Sequence, residues 1–219
     1  MSERFAQDFT WSEIYQHYGL AGRAQNIEPR YNIEPTAIIH AVAAPWAVGN
    51  ALIAMRWGLI PSWWRKTAAD VPPTFKVHAR AVTEPIFRSA FKRNRCIIPA
   101  SGYFEWKPAR DGQQCYYISA ADGGLLSIAG VWDEWNNIKT GEIVSSCSMV
   151  ITAANSFVRP VHHQMPALLH EKDFEPWLDG TASTEVLKPA DEDYLRMCPA
   201  SGQANCSGDD PMVIAKIAP

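Results

Sequence analysis

Runs of apolar residues with the length of β-strands dominate the middle of the chain. Five of them are rich in Ile, Val, Tyr and Trp, with Gly, Asp and Asn between them: residues 96–98, 102–106, 115–119, 125–132 and 143–153. Two earlier runs have the same character, residues 37–42 and 51–57. The pattern predicts a dense β region, and a final strand is expected near Met212–Ile217.

Helical signals flank this β region. Thr10 and Glu13 have the spacing of a capping box, which predicts a short helix ending near Gly19. A second helix is expected after Thr83, with Pro85 in its first turn. Apolar residues at helical spacing predict its buried face, which comprises Ile86, Phe87, Ala90 and Phe91.

Short helices are also expected at 171–178 and 183–187, whereas residues 20–35 and 61–73 have the composition of irregular connections. Strands in the middle with helices at both ends favour an α+β fold. No repeat or linker divides the sequence. We therefore predict one domain over residues 1–219, with a central, mainly antiparallel, barrel-like β structure and peripheral short helices.

The composition narrows the class of protein. The chain has 219 residues, of which 47% are hydrophobic and 20% charged. No apolar run approaches the roughly 18 residues that a membrane-spanning helix needs. The first residues are polar and charged, unlike a secretory signal. These features predict a soluble, cytoplasmic protein without a membrane segment, and we expect a monomer.

The cysteines and the common sequence motifs indicate neither a metal nor a cofactor. The five cysteines are scattered, with no C-x-x-C pair and no zinc spacing with histidine. Three of them lie in apolar segments and are expected to be buried thiols, namely Cys96, Cys115 and Cys147. The usual phosphate-binding, dinucleotide-binding, serine-hydrolase and zinc-protease motifs do not occur.

Charge is distributed unevenly along the chain. The net charge is −3, yet residues 56–110 carry eleven Lys and Arg against three acids, which gives +8 there and −11 elsewhere. Such asymmetry is typical of a protein with one surface for a polyanion. On charge alone, a solvated basic helix around Arg88–Arg95 explains the pattern equally well.

An exposed aromatic side chain is predicted within this basic region. Trp63 and Trp64 are adjacent, and neighbouring side chains of an extended segment point in opposite directions, so both cannot enter one core. Arg65 and Lys66 follow directly. Rings that stack on bases, together with cations that follow phosphates, form grooves for single-stranded nucleic acid. The alternative is a tryptophan pair that covers the core from a loop.

Glu105 is the one acid of an aromatic segment. It stands between Phe104 and Trp106. Burial there would raise the pKa of its carboxyl group and suit it to general acid–base catalysis. The alternative is an outward-pointing side chain that pairs with Lys107.

A histidine pair lies in a proline-bounded loop, residues 155–166. His162 and His163 are candidates for proton transfer or phosphate contact, and Arg159 adds a positive charge. The alternative is that both histidines are ordinary surface residues.

Short motifs occur in a characteristic order along essentially the whole chain. They are Arg4–Ala6, Arg30–Thr36, Arg56–Trp63, Ala79–Ala81, Phe87–Phe91, Arg95–Ala100, Gly102–Lys107, Thr152–Asn155, Val161–His162 and Met165–Pro166. Together they resemble the SRAP family, the SOS-response-associated peptidase proteins that attach covalently to abasic sites in single-stranded DNA.

The resemblance implies a reaction. In this family the N-terminal cysteine, exposed by removal of Met1, presents an amine and a thiol to the aldehyde of the abasic sugar. The amine forms a Schiff base, and the thiol closes it to a thiazolidine ring. An asparagine positions the N-terminus, a glutamate moves protons and a histidine assists sugar-ring opening. The last two match Glu105 and His162.

The resemblance also implies a partner. We expect single-stranded DNA, or a junction of single- and double-stranded DNA, that contains abasic sites. Residues matching the DNA-binding surface or adding charge to it are Arg4, Asn32, Trp63, Trp64, Arg80 and Arg159.

Several positions depart from the family pattern. Ser2 stands in place of the nucleophilic cysteine, His78 in place of the asparagine, and Val82 in place of the usual acid. An α-amine with a pKa of about 7.7–8.0 can still form a Schiff base. A hydroxyl is a weak nucleophile without an activating base, so ring closure should be less complete. Glu3, which replaces a glycine, adds bulk and negative charge where DNA approaches.

Three hypotheses about function stay open at this point. The first is a DNA-binding protein with at most transient, lyase-type imine chemistry, with Ser2, His78, Glu105 and His162 as its catalytic residues. The second is a catalytically degenerate DNA-binding or regulatory module. The third is an N-terminal-nucleophile peptidase that uses Ser2.

Overall fold

The computed structural model describes residues 3–45, 49–110, 112–200 and 209–214. Three α-helices lie within these ranges: α1 (Trp11–Tyr18), α2 (Pro85–Arg93) and α3 (Phe174–Leu178). The strands are β1 (Phe5–Gln7), β2 (Arg30–Ile33), β3 (Ile38–Ala43), β4 (Ala51–Trp57), β5 (Lys76–His78), β6 (Arg95–Ala100), β7 (Gly102–Ala109), β8 (Gly112–Ala120), β9 (Leu126–Asn136), β10 (Ile143–Ala153), β11 (Gln164–Pro166) and β12 (Leu195–Pro199).

Five strands close into a barrel in the order β10-β4-β3-β6-β9, because β9 also pairs with β10. Only the β4–β10 pair of this ring is parallel. β5 and β11 extend the ring along the second half of β10. The remaining strands form an antiparallel sheet in the order β12-β8-β7-β1-β2. The α+β prediction with a mainly antiparallel, barrel-like centre is confirmed.

Alternation along the strands divides the core into two large clusters. Along β3, Ala41 and Ala43 join one cluster and Val42 joins the other. The first cluster also takes Phe5 and Tyr103 from the antiparallel sheet, so it connects the sheet to the barrel. The second cluster packs the opposite barrel face against the helices. Successive strand residues point to opposite faces, so both faces of these strands are apolar.

The helices begin as the sequence predicts. The Thr10 side chain accepts a hydrogen bond from the Glu13 amide, and the Glu13 carboxylate accepts one from the Thr10 amide at 2.6 Å. Gly19 ends α1 with φ of 57°. Pro85 opens α2, whose buried residues are Phe87, Ala90 and Phe91, with Ile86 half-buried. These predictions are confirmed.

Two predictions about extended segments are wrong. Residues 30–33, within the segment predicted to be irregular, form β2, because pairing with β1 supplies a partner that local sequence does not reveal. The start of the strand expected at Met212–Ile217 is a 3-10 turn over Pro211–Val213, and residues 215–217 lie outside the described residues. Asp210 caps this turn by accepting from the Met212 amide at 2.8 Å, and proline suits a first helical position.

The three cysteines of the apolar segments are buried, as predicted: Cys96, Cys115 and Cys147. Burial raises the pKa of Cys115 to about 12, with a further contribution from the Glu105 charge. A thiol with so high a pKa holds its proton at neutral pH, and it is a poor nucleophile.

Within the described residues, no helix is long and apolar enough to cross a membrane.

Gly130 lies where β9 pairs with both β6 and β10. An added Cβ would meet the Cys96 Sγ at 2.7 Å and the Ser148 carbonyl at 3.3 Å. We expect Gly130→Ala to lower the free energy of unfolding by about 1–3 kcal/mol, as overpacking typically does. Urea denaturation measures the change. Gly124→Ala is the control, because its Cβ would meet only the exposed Asp122 side chain. Equal stability of the two variants would contradict the prediction.

Candidate DNA-binding and catalytic site

The N-terminal segment lies between the two sheets. The Phe104 amide donates to the Arg4 carbonyl at 3.0 Å, which attaches the segment to β7. On the other side, the Glu3 carboxylate lies 3.7 Å from the Lys76 ammonium on β5. Ser2, the expected catalytic residue bonded to Glu3, lies outside the described residues. Glu3 and Arg4 therefore lie between β5 and β7.

Glu105 is buried on the adjacent strand β7, with 1% of its surface exposed. By strand alternation it shares a face with Tyr103, whereas Phe104 and Trp106 join a third core cluster on the opposite face. The alternative of an outward-pointing Glu105 is wrong. Burial raises the pKa of the Tyr103 hydroxyl, and the Glu105 charge raises it further. A carboxylate so placed is shielded from bulk water.

His78 and the histidine loop lie at one edge of the structure. β5 runs parallel to β10, with His78 opposite Ile151, so both strands end at the same edge. The His78 Nδ1 accepts a hydrogen bond from the Arg80 amide at 3.2 Å and caps the 3-10 turn Ala79–Ala81. One imidazole nitrogen of His78 thus holds the turn that carries the exposed Arg80.

Asn155 builds the loop that carries His162. Its Oδ1 accepts from the Val158 amide at 2.9 Å, and its Nδ2 donates to the Ala190 carbonyl at 2.9 Å. The His162 amide then donates to the Val158 carbonyl at 3.1 Å. The Asn155 amide group is therefore a structural feature, which fixes the loop on the rest of the fold.

The His162 ring is held by the chain that follows it. Its Nδ1 accepts from the Gln164 amide at 3.0 Å, and its ring stacks on that of His163 with centroids 4.4 Å apart. Burial lowers the pKa of His162 to about 4, and the positive charges of His163 and Lys76 contribute. His162 is therefore a neutral imidazole at physiological pH, and since Nδ1 accepts from Gln164, its Nε2 carries the proton and can donate a hydrogen bond.

We expect the His162 imidazole to titrate near pH 4 in the folded protein, well below its usual 6.5, because burial disfavours the charged ring. Between pH 6.5 and pH 4 the ring is protonated in the unfolded chain but neutral in the folded protein. The contribution of His162 to the free energy of unfolding is therefore complete above pH 6.5 and is lost as the pH falls toward 4. NMR titration of the ring protons measures this pKa, and His162→Gln identifies the signal. A midpoint near 6.5 would contradict the prediction.

The tryptophan loop contains one exposed ring and one half-buried ring. Trp63 is 45% exposed. Trp64 donates its indole proton to the Thr67 carbonyl at 3.0 Å, and its own carbonyl accepts from the Trp135 indole at 2.8 Å. Trp64 therefore fixes the loop, whereas Trp63 has the exposure that base stacking requires. Each residue of the pair fits one of the two alternatives that the sequence left open.

The cations of the candidate site differ in their surroundings. Arg80 and Arg159 are exposed, and Arg159 also donates to the Ala154 carbonyl at 3.3 Å. The Arg4 guanidinium forms an ion pair with Glu34 at 2.8 Å. Asn32 is 4% exposed on β2. The first two are thus the exposed cations among the residues that we expected to contact DNA.

Arg95 shows that the local charge of +8 overstates the cationic surface. Its guanidinium is buried against the rings of Phe91 and Trp177, 4.3 and 4.7 Å from their centroids. It donates to the carbonyls of Phe91 and Ala182. Arg95 is therefore a core residue that joins α2 to the segment after α3.

Comparison with known proteins identifies the family. A family model described as SOS response associated peptidase (SRAP) matches residues 1–206. The chain belongs to the SRAP family. The abasic site processing protein YoqW of Bacillus subtilis is 31% identical over 173 residues, which cover 77% of this chain and 71% of YoqW. YoaM of the same organism, also named an abasic site processing protein, is 30% identical over 188 residues, 81% of this chain and 80% of YoaM.

A crystal structure of a Bacteroides thetaiotaomicron protein shares the fold. Its TM-score is 0.89 at 24% identity, with 99% of this chain and all of that chain covered. This SRAP chain therefore has a fold already seen by experiment. In the described part of the chain, no three His, Cys, Asp or Glu side chains converge as metal ligands.

The positions at which this SRAP chain departs from the expected family pattern differ in kind. Val82 is fully buried in the cluster that packs the helices on the barrel, so it belongs to the core. His78 lies at the edge of the candidate site. Two residues outside the predicted site, Lys76 and Glu34, form ion pairs with Glu3 and Arg4. No local motif marks them, because the partners are distant in the sequence.

Proposed function

We propose that this SRAP protein binds single-stranded DNA and reacts with abasic sites through a transient imine formed by the α-amine of Ser2. One observation carries the proposal: Glu3 and Arg4 are held between Lys76 and the strand of buried Glu105. The family membership adds the substrate class, since the curated relatives are named abasic site processing proteins.

Formation of the imine from the α-amine and the aldehyde requires proton transfers in two steps, addition of the amine and loss of water. The neutral α-amine attacks the aldehyde carbon of the opened sugar and forms a carbinolamine, which loses water to give the imine. Glu105 is the group that we assign to proton transfer during these steps, because its carboxyl is buried beside the N-terminal segment. We assign assistance of sugar-ring opening to His162, whose neutral ring can donate a hydrogen bond from Nε2 to the ring oxygen of the sugar.

The serine hydroxyl determines how long the adduct lasts. Its addition to the imine would give an oxazolidine, but an unactivated hydroxyl is a weak nucleophile. The imine can instead hydrolyse, or it can lose the 3′ phosphate by β-elimination, which cleaves the strand. We therefore propose lyase-type turnover in place of a lasting covalent adduct.

Borohydride trapping tests this proposal. Purified protein is incubated with abasic single-stranded DNA, with and without borohydride, and intact-mass measurement establishes whether Met1 has been removed. We expect a covalent adduct with borohydride and strand cleavage without it. Retention of Met1, or trapping at an internal lysine, would contradict the role of Ser2. If no DNA binds at about 50 mM salt, where phosphate contacts are strong, the DNA-binding proposal also fails.

A catalytically degenerate DNA-binding module is the second candidate. It is favoured by His78, one of whose ring nitrogens is engaged with the Arg80 amide, where the family pattern has an asparagine that positions the N-terminus. Binding of abasic DNA with neither adduct nor cleavage in the same assay would support it.

Trp63→Ala should weaken binding of single-stranded DNA by roughly 5- to 150-fold, because stacking of one base on an aromatic ring contributes about 1–3 kcal/mol. Fluorescence anisotropy with a labelled oligonucleotide measures the change. Tyr15→Ala on α1 is a matched control, because that ring is 42% exposed and Trp63 is 45% exposed. Equal losses in the two variants would show that Trp63 has no specific contact with DNA.

A further inference from the structure

A β-bulge lies in the strand that carries Asn32. β2 is the edge strand of the antiparallel sheet, with β1 as its neighbour. Phe5 pairs with Ile33 and Gln7 with Arg30, so one residue of β1 stands opposite two of β2, Tyr31 and Asn32. A bulge leaves backbone groups without their usual ladder partners and changes the direction of side chains.

The Asp209 carboxylate binds this bulge. Its Oδ1 accepts hydrogen bonds from the Tyr31 amide and from the Asn32 amide, the latter at 2.9 Å. Its Oδ2 pairs with the Arg30 guanidinium. These contacts lower the pKa of Asp209 although burial opposes them, so the carboxylate is ionised at neutral pH. A single side chain thus fixes three consecutive residues of an edge strand.

The same C-terminal segment, residues 209–214, also contacts the strand of Glu105. Asp210 caps the 3-10 turn that follows. The turn leads to Ile214, which packs against the cluster of Phe104 and Trp106, the two neighbours of Glu105. The segment therefore joins the edge strand to the outer face of β7.

We propose that Asp209 is a positioning residue of the DNA-binding site, and that it acts by holding β2, because the residue that follows this strand, Glu34, forms the ion pair with Arg4. This inference rests on the proposed function, because Arg4 is one of the residues expected to contact DNA, whereas the Asn32 side chain is buried. The charged carboxylate is suited to this task, since charge-assisted hydrogen bonds to backbone amides are stronger than neutral ones. The nearest strand neighbour of Asn32, Ala6, cannot satisfy both amides of the bulge.

Three variants of the full chain separate positioning from general stability. Asp209→Ala removes all three contacts. Asp209→Asn keeps an oxygen acceptor for the two amides but loses the ion pair with Arg30. Asp210→Ala is the matched control, because the neighbouring carboxylate contacts only the turn of its own segment. Hydrogen exchange of the Tyr31 and Asn32 amides and affinity for single-stranded DNA are measured for each, with thermal unfolding alongside.

In Asp209→Ala we expect exchange of both amides to accelerate and DNA affinity to fall by about tenfold, the effect of losing roughly 1.4 kcal/mol. Asp209→Asn should recover most of the affinity, and Asp210→Ala should match the wild type. Unchanged exchange in Asp209→Ala, or equal losses in Asp210→Ala, would overturn the proposal. So would faster exchange with unchanged affinity. Failure of the wild type itself to bind DNA would instead overturn the proposed function.

Discussion

Replacing Glu105 by Gln should abolish most of the reaction with abasic DNA and leave DNA binding intact. Gln has the same size but cannot take up and release a proton at neutral pH. General acid–base catalysis contributes about 10²- to 10⁴-fold to a rate, and we expect a loss in this range. Glu105 is buried, and a neutral amide costs less to bury than a carboxylate, so the variant should remain folded.

The single-turnover rate of borohydride-trapped adduct, measured beside DNA affinity, distinguishes these effects. Glu134→Gln is a matched control, because Glu134 lies on β9 with its side chain exposed. The proton-transfer role would be refuted if Glu105→Gln reacted at the wild-type rate. A parallel loss of affinity and rate would show that Glu105 acts in binding or folding.

The strands were the most predictable part of the fold. β10 spans the predicted residues 143–153, because this is a long uncharged stretch rich in β-branched residues with a polar segment on either side. The capping box of α1 was equally clear, since Thr10 and Glu13 interact across only three residues. Local signals of this kind need no knowledge of the tertiary structure.

Contacts between distant residues could not be predicted in this way. Barrel closure depends on β9 pairing with β10 while β10 also pairs with β4, and nothing in the apolar pattern specifies those partners. Asp209 reaches Asn32 across 177 residues. Arg95 counted toward a basic surface in the sequence, yet its planar guanidinium stacks on core aromatics. The charge of a residue does not reveal whether that charge meets solvent.

The sequence predicted which residues are unusual in the candidate site better than it predicted what each of them does. The aromatic neighbours of Glu105 indicated its burial, which the structure shows. Val82 was grouped with Ser2 and His78 as a change in the site, whereas it packs in the core. Proximity in the sequence to Arg80 suggested a shared surface, but the 3-10 turn at Ala79–Ala81 directs the chain from the surface into the core.

Ser2→Cys should convert the transient imine into an adduct that survives heating without borohydride. The thiolate is the stronger nucleophile and closes the imine to a thiazolidine, whereas the hydroxyl lacks an activating base. Denaturing gel electrophoresis after heating measures the stable adduct. Ser12→Cys, at an exposed position on α1, controls for a thiol placed elsewhere.

The extent of conversion tests whether the rest of the site is intact. Asn at position 78 is the residue of the family pattern, so His78→Asn added to Ser2→Cys should raise the yield if the imidazole hinders ring closure. Glu3 is a separate obstacle, because its carboxylate is held near Lys76 where a DNA phosphate would approach. The contrary outcome is that borohydride traps the Ser2→Cys protein on DNA while no heat-stable adduct forms. That result would show that other residues of the site, as well as the missing thiol, prevent stable crosslinking.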